Sequence, residues 1–296
     1  MTAPAPVGVV VATRNRAERL ATALERLRDL PERPPVVVVD NASRDRTASL
    51  VAGEHPEVRL IRLARNRGAV ARNDGVAALD TPYVAFSDDD SWWAPGALRT
   101  AAGLLDRHPR LGLVAAGVRV GEAAVPDPLD AVLAASPLPP DPTLPGPAVL
   151  GFLACAAVVR RSAFLDAGGF HPLLFFGAEE TLLAYDLAAR GWGVAHCPEV
   201  VAHHHPSPGG RGDRPVLVRR NELLTAWLRR PLPLALRRTA ALAADGRHDP
   251  AARRALGGAL LRLPSALRRR SPLPPRVEAA ARRVERQREE APAHAG

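Results

Sequence analysis

Tyr83-Val84-Ala85-Phe86-Ser87-Asp88-Asp89-Asp90-Ser91-Trp92-Trp93 puts three carboxylates directly after a strand-like apolar run. Adjacent carboxylates repel one another unless a cation offsets their charge. Their hard oxygens suit magnesium or manganese, which take one or two protein carboxylates and further oxygens from phosphates. An acidic cluster where a strand ends therefore predicts a metal–diphosphate site, against the alternative of a solvated acidic turn.

The segments before this stretch decide the fold class. Residues 7–12 and 36–39 are short, continuous, valine-rich runs that read as strands buried on both faces. Residues 58–63 alternate as a third strand, and 83–86 form the fourth. Leu20, Leu24 and Leu27 share one helical face, and 47–52 and 69–78 also read as helices. This βαβαβαβ order predicts an α/β fold with a mostly parallel, Rossmann-like sheet covered by helices on both faces. Ligands of such sheets bind beyond the carboxyl ends of the strands. Thr13, Asp40, Asn66 and Asp88 to Asp90 all fall there. No GxGxxG follows the first strand and no GxxxxGK[ST] occurs, which counts against a dinucleotide oxidoreductase and a P-loop NTPase.

Residues 125–147 are proline-rich and read as a long irregular loop, and 180–190 as a helix. Residues 194–197 and 200–202 read as two short strands. From residue 231 the pattern changes to a helical, Arg- and Pro-rich extension, 231–296, behind a catalytic domain over 1–230. Leu256, Leu260, Leu263 and Leu267 are spaced for an amphipathic helix interrupted at Pro264. Residues 282–290 form a charged tail expected to be solvated or partly disordered at its end.

The 296 residues include 40 basic side chains, all arginine, and carry a net charge of +9. Such a charge fits nucleotides, anionic membrane or nucleic acid alike. Aromatic content of 4% is too low for a stacking surface, so nucleic acid is not the expected partner. Cys155 and Cys197 are too few and too far apart for a disulfide framework or zinc cluster. The N-terminal residues lack the cationic start and long apolar run of a signal peptide, and no apolar run reaches about 18 residues. A cytoplasmic location is expected, with peripheral membrane contact through the basic extension as a further expectation.

The motifs together resemble a known family. Val39-Asp40-Asn41, Asn66-Arg67-Gly68 with Arg72-Asn73, the Asp88-Asp89-Asp90 triplet, Gly168-Gly169-Phe170 and Glu179-Glu180 occur in the order of a family 2 glycosyltransferase with the GT-A fold. The resemblance covers roughly residues 7–230. It implies an inverting transfer from a nucleotide-diphosphate sugar to a carbohydrate or lipid-linked acceptor, with Mg2+ or Mn2+ as cofactor. Residue by residue, it implies nucleotide-sugar contacts at Thr13, Asp40, Asn66, Arg67, Arg72, Asp88 and Asp89. It implies metal ligation by Asp90, with Asp88 as the other half of the DxD motif, and by His203. The usual base is the second residue of a Glu-Asp pair. Glu180 stands there with one extra methylene, and Glu179 is second choice.

Each position has a plainer reading. Asp40 can cap the turn that follows it, the arginines can be solvated, and the glutamates can favour a helix N-terminus. Among other classes, a sugar nucleotidyltransferase would begin with a Gly-rich loop that residues 7–16 lack. A non-catalytic binding module would not need Asp88, Asp90 and Glu180 intact.

Overall fold

The computed structural model describes residues 5–206 and 212–290. The first half follows the predicted alternation. In order come β1 (Val7–Thr13), α1 (Ala17–Arg28), β2 (Val36–Asp40), α2 (Thr47–Glu54), β3 (Arg59–Arg62), α3 (Ala71–Ala77) and β4 (Tyr83–Asp88). Strands β3, β2, β1 and β4 lie side by side and parallel. Side chains along β1 alternate between two cores. Val7, Val9 and Val11 meet α1, α2 and, from the next segment, α4 (Ala97–Arg107), reached through β5 (Ser91–Trp93). Val10 faces α3 on the opposite side. This two-sided burial explains why the strands read as unbroken valine runs.

The second half turns the sheet mixed. It contains β6 (Leu111–Val120), β7 (Val125–Pro126), α5 (Pro128–Ala134), β8 (Ala157–Arg160), α6 (Arg161–Asp166), α7 (Glu179–Ala189) and β9 (Gly193–His204). Among the described residues the nine-stranded sheet runs β3-β2-β1-β4-β8-β6-β9-β5, with β7 beside β6. Strand β8 is antiparallel to both β4 and β6. The two short strands expected at 194–197 and 200–202 are one strand, β9, whose register shifts opposite Ala116 and Gly117. A bulge of this kind bends a strand without ending it. The loop expected over 125–147 carries α5, capped by Asp127, which accepts from the Leu129 amide at 2.8 Å. Asp followed by Pro is a helix-start signal, and it was legible.

The C-terminal segment forms α8 (Arg214–Arg229), α9 (Leu232–Asp245), α10 (Pro250–Leu260), α11 (Leu263–Arg268) and α12 (Pro275–Glu290). Leu223, Leu224, Ala235, Ala259 and Ala266 join Leu174 and Leu182 of the catalytic half in one apolar cluster. The expected leucine stripe divides: Leu256 and Leu263 pack on this cluster, while Leu260 and Leu267 stay exposed. Residues 282–290 are not a loose tail but the second half of α12. The buried Arg230 guanidinium holds that helix, donating to Glu278 at 2.6 Å and to Glu285 at 3.0 Å. Residues 291–296, the end of the expected extension, lie outside the described residues.

Candidate active site

The register of the parallel strands builds the site. Thr13 of β1 pairs with Asp40 of β2, and Ala12 pairs with Asp88 of β4. Asp40 and Asp88 therefore lie about two strand spacings apart, roughly 10 Å. At the β2 side a cleft of ≈ 460 Å³ is lined by Asp40, Ser43, Arg62, Arg65 and Asn66, with Arg14 and Arg44. Asp40 Oδ1 accepts from the Ser43 amide at 2.8 Å, so it does cap its turn, while Oδ2 faces Arg62 Nε at 3.8 Å. Asn66 Oδ1 accepts from the Gly68 amide at 2.9 Å.

At the β4 side the triplet is held by two arginines, Arg72 and Arg16. Asp88 pairs with the buried guanidinium of Arg72. Asp89 accepts from the Thr13 hydroxyl at 2.8 Å and from Arg16 at 2.8 Å. Burial nonetheless raises Asp89 above the usual carboxylate range. Asp90 Oδ2 accepts from Arg16 at 3.0 Å, and its Oδ1 faces His204 Nε2 at 3.7 Å. Arg16 is a site residue that sequence reasoning missed. The signal was its position three residues after the end of β1, beside Arg14 and Asn15.

His203 does not meet the triplet. It pairs in register with Trp92 and stacks on that ring at 5.9 Å between centroids. His204 pairs with Ser91 and faces Asp90 instead. Successive strand residues point to opposite faces, so a one-residue difference in register decides which histidine reaches the acids. Arg67 is likewise turned away from the triplet: its side chain pairs with Asp74 at 2.6 Å, and its amide donates to Asn41 at 2.6 Å.

Glu179 and Glu180 open α7 behind a strained turn. Gly177 has φ +86° and Ala178 φ +61°. An alanine in the left-handed region costs about 1 kcal/mol, so the surroundings must hold it. Asn221 of α8 does so, fully buried, donating to the Phe176 carbonyl at 2.9 Å and the Gly177 carbonyl at 2.6 Å. From the other side the Ala69 amide donates to the Phe175 carbonyl at 2.8 Å. Gly68, φ +61°, allows that approach, because a Cβ there would sit 1.8 Å from the Phe175 oxygen. Asn73 ties the same region down with two 3.0 Å hydrogen bonds to Phe170. Asn41, Asn73 and Asn221 thus have positioning roles that no motif rule assigned.

Arg72 joins the halves of the site, acting electrostatically on Asp88, Glu179 and Glu180. Burial and the charge of Glu180 push Glu179 up to about 8, and burial raises Glu180 also. A helix N-terminus favours an anion by only about 0.3–1 kcal/mol, and here burial wins. Glu179 is 3% exposed, with Oε2 lacking a hydrogen-bond partner, whereas Glu180 is half-buried and lines an open cavity. A proton on Glu179 removes the repulsion between the two charges, which leaves the half-buried Glu180 the better placed of the pair to ionise.

Among the described residues, no three His, Cys, Asp or Glu side chains gather to enclose an ion. The donor set fits a hard cation that takes one or two carboxylates and shares a substrate's phosphates. Asp88 suits this with a side chain 32% exposed, and Asp90 with an Oδ1 that faces His204 Nε2 at 3.7 Å.

The model of the family described as Glycosyl transferase family 2 matches residues 8–166, more than half of the chain. The chain is 28% identical over 276 residues to an N-acetylglucosaminyl-diphospho-decaprenol L-rhamnosyltransferase of Mycobacterium tuberculosis, covering 79% of this chain and 90% of that one. It is 34% identical over 104 residues to the succinoglycan biosynthesis protein ExoU of Rhizobium meliloti, 33% of this chain and 30% of that one. In fold it resembles a mannosyltransferase of Pyrobaculum calidifontis solved in complex with GDP-Man and Mn2+, with a TM-score of 0.56 and 24% identity over 98% of this chain and 78% of that one.

Proposed function

The chain belongs to glycosyl transferase family 2, and on that premise we propose that it is a metal-dependent, inverting enzyme. It moves a sugar from a nucleotide-diphosphate sugar to an acceptor hydroxyl. The observation that carries this reading is Arg72, which brings the acidic triplet and the glutamate pair into one electrostatic unit. The nucleoside end of the donor takes the cleft at Asp40 and Asn66, and the diphosphate extends toward Asp88 and Asp90. A divalent cation would be held by Asp90 and Asp88 and would supply charge stabilisation to the departing diphosphate. Arg16 and Arg72 hold the carboxylates together for it.

Glu180 receives the proton of the acceptor hydroxyl as its oxygen bonds to the anomeric carbon. The bond from that carbon to the diphosphate breaks in the same displacement, and the nucleoside diphosphate leaves with the electron pair. The acceptor is a carbohydrate or lipid-linked saccharide of cell-envelope or other glycoconjugate synthesis, a reading supported by the similarity to the mycobacterial N-acetylglucosaminyl-diphospho-decaprenol L-rhamnosyltransferase.

No helix among the described residues is long and apolar enough to cross a membrane. Leu260, Leu261 and Leu267 are 47%, 83% and 47% exposed beside the exposed Arg268 and Arg269. An apolar knob within basic side chains suits peripheral contact with anionic lipid. The test of the function is thermal shift and donor turnover with UDP-, GDP- and dTDP-sugars. One donor class is expected to raise the melting temperature when Mn2+ is present and to lose its sugar slowly to water. Stabilisation by no nucleotide sugar, with or without Mn2+, would overturn the reading.

A further inference from the structure

Among the described residues three arginines are buried, and two of them hold carboxylates. Arg72 pairs with Asp88, and Arg230 with Glu278 and Glu285. Arg220 of α8, 7% exposed, meets no carboxylate among the described residues. Its Nε and Nη2 both donate to the neutral Oδ1 of Asn221, at 3.0 Å and 2.9 Å. The charge that acts on it is another cation, Arg262, half-buried between α10 and α11. Burial first, and then that neighbouring charge, pull Arg220 below the usual arginine range. Arg262 also meets no carboxylate among the described residues, and donates to the Gly258 carbonyl at 2.9 Å. A buried charge without a counter-charge is costly, and an anion between two such guanidinium groups removes the cost.

The pair is held in place before any ligand arrives. Asn221 fixes the Arg220 guanidinium, and Gly258 of α10 lets its stem lie close. A Cβ at Gly258 would stand 3.1 Å from Arg220 Cδ and 3.9 Å from Arg262 Nη1, so both arginines meet at one glycine. Guanidinium forks suit the oxygens of a phosphate. The surroundings say which phosphate. Leu260 and Leu261, directly before Arg262 in the chain, are both exposed. A soluble anion needs no apolar rim, whereas a phosphate carried at the head of acyl chains fits one.

We propose that Arg220 and Arg262 form a binding site for the headgroup phosphate of an anionic phospholipid, with Leu260 and Leu261 entering the acyl region beside it. Membrane attachment is then the occupation of a defined site and not a diffuse attraction between net charges. The lipid as occupant rests on the membrane contact proposed above for the exposed leucines; the phosphate site itself does not.

Inorganic phosphate, titrated into the full chain without metal or nucleotide, tests the site, and vesicles test the lipid. Phosphate should raise the melting temperature of wild type. Arg262→Gln should lose that rise. Arg268→Gln, which removes the same charge from an exposed position on α11, should keep it. Phosphatidylcholine vesicles containing phosphatidylglycerol should bind wild type, and Arg262→Gln more weakly by about tenfold or more, the equivalent of one charge-assisted hydrogen bond. Pure phosphatidylcholine should bind neither. Leu261→Glu should lose the vesicles and keep the phosphate-induced rise. Melting temperatures without phosphate report the fold of each variant. Equal phosphate shifts in wild type and Arg262→Gln would remove the site. A phosphate shift that depends on Arg262, beside vesicle binding that does not, would make the ligand a soluble phosphate and overturn the lipid. No arm reads sugar transfer, so the outcome is independent of the glycosyltransferase reading.

Discussion

Replacing Glu179 by Gln removes a calculable part of the pH dependence of the fold's stability. The wild-type carboxyl is held up to about 8 against an ordinary value of 4.5, first by burial and then by the charge of Glu180. A carboxyl raised in the fold binds its proton more tightly there than in the unfolded chain. Its favourable contribution is complete below the unfolded value and is lost as pH rises toward the folded one. Each pH unit in that window is worth at most about 1.4 kcal/mol, so pH 5 to 8 spans at most about 4 kcal/mol. Glu180 shares the cause, and a proton on either carboxylate relieves the repulsion. About half of that span, roughly 2 kcal/mol, is the working expectation. The glutamine amide brings a pH-independent cost for its own unpaired donors, about 1–3 kcal/mol, so the slope rather than the offset carries the test. Urea unfolding of both proteins at each pH unit from 5 to 8 measures it. The variant should gain on wild type steadily as pH rises. A flat difference would falsify the buried, proton-retaining state of Glu179.

Asn221→Ala strips the donors from the Phe176 and Gly177 carbonyls, so unfolding free energy should drop by about 2–5 kcal/mol. Turnover should fall with it while donor affinity holds; unchanged turnover in the folded fraction would deny the clamp. Asp90→Asn should leave the circular dichroism spectrum intact and remove the Mn2+-dependent part of nucleotide-sugar binding. Retention of that dependence would move the cation elsewhere. Leu261→Glu, at a side chain 83% exposed, should reduce sedimentation of the full chain with anionic liposomes and leave zwitterionic ones unaffected. Equal sedimentation of both proteins would end the membrane contact.

The parallel half of the fold was legible because burial on both faces writes itself as valine runs, and the Asp–Asp–Asp stretch marks a strand end without ambiguity. Strand β8 was harder, since residues 151–159 are apolar throughout and periodicity cannot separate strand from turn there. Continuity of β9 was hidden by Pro198, which reads as a break where a bulge lets the strand continue. Triplet and glutamate pair were visible as motifs, and so was Asn73 beside Arg72, whereas the contacts that Arg16, Asn73 and Asn221 make lie 73, 97 and 45 residues away in the chain. His203 and His204 show the limit most plainly: both lie on the strand, and only the pairing partner, Ser91 or Trp92, decides which one faces Asp90. Residues 282–290 read as a solvated charged tail of a helical extension, and many of those side chains are exposed; what the sequence hid is Arg230, which fixes α12 through Glu278 and Glu285 from 48 and 55 positions away.

The central claim is that Glu180 takes the proton from the acceptor hydroxyl while Glu179 stays protonated beside it. Single-turnover transfer from the donor class identified by thermal shift, measured for Glu180→Gln and Glu179→Gln side by side, tests it most directly. Glu180→Gln should lose about 100-fold or more in rate, the usual contribution of a positioned base, with its donor-induced thermal shift unchanged. Glu179→Gln should stay within about tenfold of wild type, since it removes no proton acceptor. An active Glu180→Gln beside a dead Glu179→Gln would contradict the account.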